Sequence, residues 1–290
     1  MPPLVQNTLR SLTIGACLLI AAADLPAQPS LLVYDFTLEL EPAANVERVR
    51  SLGFAGLVTR VKHPTDLVKL AGYARYIATL DDFRLIPFVV YDFSSPSSPD
   101  IWRQALPILA GADAPLWVIV RQAPSTLAVR QLLQRMARES QTFGVRTVIY
   151  PHWNTDIETA AEAAALIEQI GHPNLMNSLH TYHEIRGGNQ DDMQAVAAEH
   201  ARRAVLVGIA GADEDAYVGP PGPSVNWDDA IKPLDEGDYS LLPFLQALQD
   251  AGYDGPVILQ TFGISDNPGH LRRSLHSYAE YTEALVPADD

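Results

Sequence analysis

The sequence predicts an α/β protein built as a single (β/α)8 barrel. Eight short apolar runs alternate with eight segments of helical pattern along most of the 290 residues. The runs are continuously apolar, as in parallel strands that are covered on both faces. An open, doubly wound sheet is the alternative, but eight regular units favour closure into a TIM-type barrel.

The strands are predicted where apolar residues run together between polar or glycine-rich segments. In chain order they are Leu31–Tyr34, Phe54–Val61, Arg84–Tyr91, Leu116–Arg121, Val145–Tyr150, Leu175–Leu179, Ala204–Ile209 and Pro256–Gln260. A Rossmann glycine fingerprint, a P-loop and a G-x-S-x-G elbow are all missing from the sequence, which argues against nucleotide-binding and α/β-hydrolase folds.

The helices are predicted where apolar residues recur every three or four positions. In the first of them Val46 and Val49 share one face, and Gly53 ends the helix. In chain order the predicted helices are Pro42–Leu52, Pro64–Leu80, Asp100–Leu109, Ser125–Phe143, Thr155–Ile170, Asp191–Ala201, Leu241–Ala251 and Leu271–Tyr281.

Composition limits the possible partners. The chain is 47% hydrophobic and 19% charged, which is enough for one large core. Its net charge of −15 and isoelectric point of about 4.8 argue against nucleic acid and anionic membrane surfaces.

Residues 1–27 have the layout of a secretory signal peptide. Arg10 precedes the apolar run Leu12–Ala23, and Leu25-Pro26-Ala27 is a small-residue cleavage site. We therefore expect a periplasmic or secreted protein whose barrel domain spans residues 28–290, without stable membrane association after cleavage. An uncleaved membrane anchor is the alternative.

The only cysteine, Cys17, lies inside this apolar run, in a context that also resembles a lipoprotein processing site. If the signal peptide is removed, Cys17 leaves with it. The mature protein then has no disulfide, no thiol chemistry and no cysteine metal ligand.

Histidines follow two consecutive predicted strands. His152 follows the fifth strand, and His180 and His183 follow the sixth. Barrel enzymes carry their chemistry at the carboxyl ends of the strands, where neutral imidazoles can bind a metal or move protons. His180 and His183 are three residues apart and would face opposite ways on a strand, so both reach one site only if the chain turns after His180.

Carboxylates and cations also end predicted strands. The tripeptide Tyr-Asp-Phe occurs twice and places Asp35 and Asp92 where they can bind sugar hydroxyls, act as bases or cap the next turn. Arg60, Lys62 and Arg121 can bind a carboxylate or phosphate, or pair with these two aspartates.

Two loops and several amphipathic side chains complete the candidate site. Ser94–Pro99 and the long segment Gly211–Lys232 follow the third and seventh strands, and we expect them either to serve the site or to decorate the rim. We expect the amide of Gln260 to hydrogen-bond a sugar hydroxyl. Three aromatic side chains are expected either to stack on a sugar ring or to pack in the core: Trp153, Tyr182 and Trp227.

Four segments of the sequence resemble the xylose isomerase-like, or sugar isomerase/epimerase, TIM-barrel family, which also includes endonuclease IV-type enzymes. They are GVRTVIYPHWN at 144–154, HPNLMNSLHTYHE at 172–184, GIAGAD at 208–213 and IKPLDEGDYSLLPFLQALQDAGYDGPVILQ at 231–260. The resemblance covers residues 30–284 and implies a carbohydrate-processing barrel.

The resemblance also implies a divalent metal bound by Glu, Asp, His and Glu at the ends of strands five to eight. Here the four corresponding positions hold Tyr150, His180, Ala210 and Gln260. Family motif positions that match are His152, His183 and Asp213. Metal-assisted sugar chemistry relies on the carboxylates, so their loss bears directly on mechanism.

Three outcomes follow from these replacements. The first is a remodelled site in which His152, His180 and His183 bind zinc or manganese. The second is metal-free acid–base catalysis by His152, His183, His180, Tyr150 and Asp213 on a saccharide held by Gln260, Asp92, Asp35, Arg121 and Trp153. The third is a carbohydrate-binding or partner-binding protein without catalysis. A metal-dependent hydrolase or endonuclease is disfavoured by acidity and by the missing carboxylates.

Overall fold

A computed structural model describes residues 30–38, 40–220, 225–264 and 268–285. The described residues form eight parallel strands in the closed order β1 to β8, with β8 pairing back to β1. They are β1 Leu31–Tyr34, β2 Gly56–Val61, β3 Arg84–Asp92, β4 Leu116–Arg121, β5 Thr147–Ile149, β6 Leu175–His180, β7 Ala204–Ile209 and β8 Val257–Leu259. The predicted barrel is confirmed, and the predicted signal peptide lies outside the described residues.

Helices cover the outside of the barrel. Within the described ranges they are α1 Pro42–Leu52, α2 Pro64–Ile77, α3 Ser98–Gly111, α4 Thr126–Gln141, α5 Ala160–Ile170, α6 Thr181–Arg186, α7 Met193–His200, α8 Leu242–Asp250 and α9 Pro268–Ala284. Helix α6 is not predicted from the sequence, and α5 begins five residues later than expected, after the Thr159 cap. No described helix is long and apolar enough to cross a bilayer.

Side chains alternate between the barrel interior and the layer under the helices. In β1, Leu31 and Val33 pack outward against the helices, whereas Leu32 and Tyr34 point inward. The interior is unusually aromatic towards the carboxyl ends of the strands: its rings include Tyr34, Phe88, Trp117 and Tyr150. The barrel is therefore a packed core whose upper layer is made of rings.

The long loop between β7 and α8 is held down at two points. Gly211 and Lys232 form an antiparallel bridge at its base, with N···O distances of 3.0 and 2.9 Å. Above it the buried Arg186 of α6 donates to the carbonyl oxygens of Tyr217 and Asn226, each at 2.6 Å. These contacts place the loop over the mouth of the barrel.

Candidate functional site

A cavity of about 310 Å³ opens at the carboxyl ends of the strands. Phe36, Phe88 and Tyr150 line its aromatic part, while His152 and His183 line it from the β5 and β6 side. Trp227 from the β7–α8 loop also borders it, so this loop lies at the predicted end of the barrel. The described residues that line the cavity include no aspartate or glutamate.

The three predicted histidines come together because the chain turns immediately after β6. Strand β6 ends at His180 and helix α6 starts at Thr181, with no loop between them. The ring centroid of His183 consequently lies 4.6 Å from that of His180 and 4.0 Å from that of His152. His152 and His183 line the cavity and His180 does not, although His180 and His183 are each only 1% exposed.

The backbone of Trp153 determines the proton positions of two of these rings. Its carbonyl oxygen, which can only accept, lies 2.7 Å from Nδ1 of His152, so that nitrogen carries the proton. Its N–H, which can only donate, lies 3.2 Å from Nδ1 of His183, so that nitrogen is unprotonated. In the neutral rings Nε2 of His152 has a free lone pair and Nε2 of His183 carries a proton.

All three imidazoles are neutral at pH 7. Burial lowers the pKa of His152 to about 4, with a smaller contribution from the charge of Arg121. Burial lowers the pKa of His180 to about 3 and that of His183 well below its ordinary value. The pair therefore has one imidazole acceptor, Nε2 of His152, and one imidazole donor, Nε2 of His183, which is buried without a partner among the described residues.

Tyr150 stands where the family resemblance predicts a glutamate ligand, and its ring is packed on both faces. It stacks on Trp117 at 3.9 Å between ring centroids and on His180 at 5.6 Å. Its hydroxyl bonds that of Tyr34 at 2.7 Å. Burial raises the pKa of Tyr150, so this hydroxyl stays protonated and cannot replace an anionic ligand.

The side chains present do not suit a divalent metal. Nδ1 of both His152 and His183 is occupied by the backbone of Trp153. The side-chain oxygen of Gln260 accepts from the backbone N–H groups of Thr261 and Phe262 at 2.9 and 3.0 Å. No group of three or more His, Cys, Asp or Glu in the described part of the chain is arranged to hold a metal ion.

Three predicted carboxylates lie outside the cavity lining. Asp35 is buried beside Lys69, at 2.6 Å, and also accepts from Thr59. Asp92 accepts from the N–H and hydroxyl of Ser94, which keeps its pKa low and confirms the turn-capping alternative.

Asp213, the third of these carboxylates, pairs with Lys232 at 2.6 Å, at the base of the β7–α8 loop. The structure therefore does not bring it to the histidines as an acid–base group. Its ion pair instead joins the two ends of that loop.

Three cations do line the cavity, namely Arg60, Lys62 and Arg121. None of their side-chain nitrogens lies within 4.0 Å of a carboxylate oxygen of Asp35 or Asp92, so the expected ion pairs do not form. Lys69 occupies Asp35 instead, and Ser94 supplies the close contacts of Asp92.

The aromatic residues predicted near the site all line the cavity, but they differ in exposure. Trp153 and Tyr182 are buried, and Nε1 of Trp153 donates to the carbonyl oxygen of Gly219. Trp227 is 38% exposed and stacks on Tyr182 at 5.8 Å. Only Trp227 of these three has an exposed ring to offer to a sugar.

Several cavity residues were missed by the sequence interpretation. Phe36, Phe88 and Phe262 line the cavity, and Ile231 reaches it from the β7–α8 loop. Phe88 was detectable, because alternation along β3 places it on the inner face with Ile86 and Val90.

A profile described as xylose isomerase-like TIM barrel matches residues 109–281. No curated protein matches the sequence significantly.

Many solved structures share the fold. A D-allulose 3-epimerase from Methylomonas sp. aligns with a TM-score of 0.65 at 13% identity, over 87% of this chain and 98% of its own. A 3-keto-D-glucoside 4-epimerase from E. coli aligns with a TM-score of 0.63 at 14% identity, over 89% and 100%. The IolI protein, crystallised with a zinc atom, aligns with a TM-score of 0.65 at 13% identity, over 89% and 99%.

Proposed function

Because the chain belongs to the xylose isomerase-like TIM-barrel family, we propose that it is a sugar isomerase or epimerase in which His152 and His183 transfer the protons. The observation that carries this proposal is the pair of opposite tautomers set by the backbone of Trp153. Two structural neighbours bear the names of sugar epimerases, which supports a saccharide as the small-molecule partner.

The proposed reaction begins with proton removal from the carbon next to a sugar carbonyl. Nε2 of His152 takes this proton, and the electron pair of the broken C–H bond moves towards the carbonyl oxygen. The carbonyl oxygen takes the proton from Nε2 of His183. Nε2 of His183 then accepts the proton of the hydroxyl group on the carbon that His152 deprotonated. Return of the first proton from Nε2 of His152 to the former carbonyl carbon, as the neighbouring oxygen becomes the new carbonyl oxygen, gives the isomer.

The rest of the cavity supports this chemistry by excluding water and binding the sugar. Ring atoms of Tyr150, Phe36 and Phe88 make an apolar lining for the sugar carbons. Trp227 supplies an exposed indole for stacking at the mouth. No step is assigned to a metal, since the donor set does not suit one.

The test is exchange of carbon-bound hydrogen with solvent. We expect the mature protein to incorporate deuterium next to the carbonyl group of at least one sugar from a panel of hexoses, pentoses and uronates, as followed by NMR in D2O. His152→Gln should lower the exchange rate by about 100- to 10,000-fold, the usual contribution of a positioned base. His276→Gln, on the exposed face of α9, is the matched control and should exchange at the parent rate.

A second candidate function is carbohydrate binding without catalysis. It is favoured by the absence of carboxylates from the described cavity lining and by the low basicity of the buried imidazoles. Tight binding of a sugar with no deuterium incorporation, together with unchanged binding by His152→Gln, would establish this function and end the first proposal.

Export is a separate part of the proposal. The basic start, apolar run and small-residue site of residues 1–27 support a signal peptide that directs the barrel to the periplasm or the medium. Mass spectrometry of the protein recovered from each compartment tests it. An intact Met1 on cytoplasmic protein would contradict export.

A further inference from the structure

The cavity contains a group of cations that lack an acidic partner. Among the described residues, no carboxylate oxygen lies within 4.0 Å of the side-chain nitrogens of Arg60, Lys62 or Arg121, although the chain carries a net charge of −15. Lys62 and Arg121 are half-buried, and partly desolvated cations are destabilising unless something compensates them.

These cations lie towards the β2 to β4 side of the cavity. Arg60 and Lys62 lie at the end of β2 and Arg121 ends β4, whereas His152 and His183 follow β5 and β6. The Cζ atom of Arg60 lies 5.8 Å from the ring centroid of Phe36. A molecule that spans the cavity therefore meets positive charge at one end and neutral imidazoles at the other.

The positive charge that Asp92 and solvent leave uncompensated in this part of the cavity suits a ligand with one negative charge. Asp92 lies opposite Arg121 in the β3–β4 strand register without an ion-pair contact, and Arg121 and Lys62 contribute to lowering its pKa, so Asp92 offsets part of their charge. Arg60 is exposed at the rim, where solvent screens it. A second negative charge on the ligand would find less compensation here and would be repelled by the acidic protein.

We propose that the saccharide recognised by this cavity carries a single carboxylate, which Arg121 and Lys62 bind while its carbonyl end lies at His152 and His183. This specificity rests on the proposed function for its orientation towards the histidines, but its charge preference is independent of turnover. A guanidinium matches a planar carboxylate with two parallel N–H donors, and an ammonium adds a third contact.

The test compares binding of hexuronates, their parent neutral hexoses and the hexose 6-phosphates by calorimetry. We expect at least one uronate to bind more tightly than both counterparts, and its affinity to fall with added salt while that of the hexose does not. Arg121→Gln and Lys62→Gln should each weaken uronate binding about 10- to 100-fold, the effect of losing a charged hydrogen bond. Neutral hexose binding should weaken much less than uronate binding in both variants, because no charge-charge contact is lost.

Arg202→Gln is the matched control, because it removes an exposed arginine just before β7, at the opposite end of the barrel. Equal binding of uronates and hexoses, tighter binding of the phosphates, or no uronate binding at millimolar concentration would each overturn the carboxylate proposal. Uronate-selective binding without hydrogen exchange would leave this specificity standing and refute the proposed catalysis.

Discussion

The hydroxyl groups of Tyr34 and Tyr150, 116 residues apart in the chain, meet in a 2.7 Å hydrogen bond inside the barrel. Burial raises the pKa of both phenols, so the pair remains neutral. Each ring also packs against Phe88 and Trp117. A position where the family resemblance implies a metal-binding carboxylate is thereby part of an uncharged aromatic core.

Removing one hydroxyl from this pair should destabilise the fold. Tyr150→Phe leaves the Tyr34 hydroxyl buried without its partner, and we expect the free energy of unfolding to fall by about 1–3 kcal/mol. The double variant Tyr34→Phe/Tyr150→Phe should recover part of that loss, because neither polar group is then left buried. Urea unfolding of the four proteins measures this coupling, and strictly additive losses would contradict it.

The buried pair of Arg186 and Asp229 should control the β7–α8 loop. Arg186 is fully buried, bonds Asp229 at 2.5 Å and holds two loop carbonyls. Arg186→Met should lower the free energy of unfolding by about 3 kcal/mol and expose the loop to limited proteolysis, since the partly buried Asp229 loses its charged partner and keeps only the N–H of Tyr217. Arg273→Met, which removes an exposed pair with Asp235, is the control and should change stability by less than about 1 kcal/mol.

Acid should destabilise the protein through its neutral buried histidines. The unfolded chain binds a proton at position 180 as the pH falls below about 6.5, but burial delays this in the folded protein until the pKa of about 3. The free energy of unfolding therefore falls as the pH drops through that window, by up to about 1.4 kcal/mol per pH unit for each such histidine.

We expect His180→Leu to reduce the pH dependence of the free energy of unfolding by the contribution of one proton. Both nitrogens of His180 are buried without a partner among the described residues, so the variant should also lose little stability at pH 7. Urea unfolding at neutral pH and near pH 4.5 measures the difference. His276→Leu on the exposed face of α9 should keep the parent slope, and an unchanged slope in His180→Leu would show that this ring is protonated in the folded state.

Metal content provides a direct check on the site chemistry. We expect elemental analysis of protein produced with excess zinc and manganese to show no stoichiometric ion, because the described cavity lining supplies no carboxylate and because Nδ1 of His152, Nδ1 of His183 and the Gln260 oxygen already have backbone partners. Chelator treatment should then leave hydrogen exchange unchanged. One bound equivalent that is lost in a His152→Gln variant would restore the metal interpretation.

The fold was predictable because its signal is repeated along the chain. All eight strands of the described chain coincide with predicted apolar runs, although β5 and β8 are shorter than expected. Helix α6 was missed because its six residues are buried on every side, so the segment Thr181–Arg186 lacks the amphipathic stripe that marks a surface helix.

The site was only partly predictable, because its chemistry depends on which charged side chains form ion pairs with each other in the folded protein. The histidines were found from strand ends, and their convergence was correctly tied to a turn after His180. The absence of an ion pair between Arg60 and Asp35 was not predictable. It depends on Lys69, on a neighbouring helix, forming the ion pair with Asp35 instead. The contacts of Trp153 likewise involve backbone atoms, which leave no pattern in the sequence.

Gly208 lies opposite His180 in the β6–β7 register, and a Cβ atom there would be 2.2 Å from the imidazole. The two positions therefore cannot vary independently: alanine at 208 is compatible with a small residue at 180 but not with this ring. A histidine ring in this position at 180 therefore fits only where glycine already stands at 208. Conversely, a side chain can be introduced at 208 only after the imidazole has been replaced or has moved.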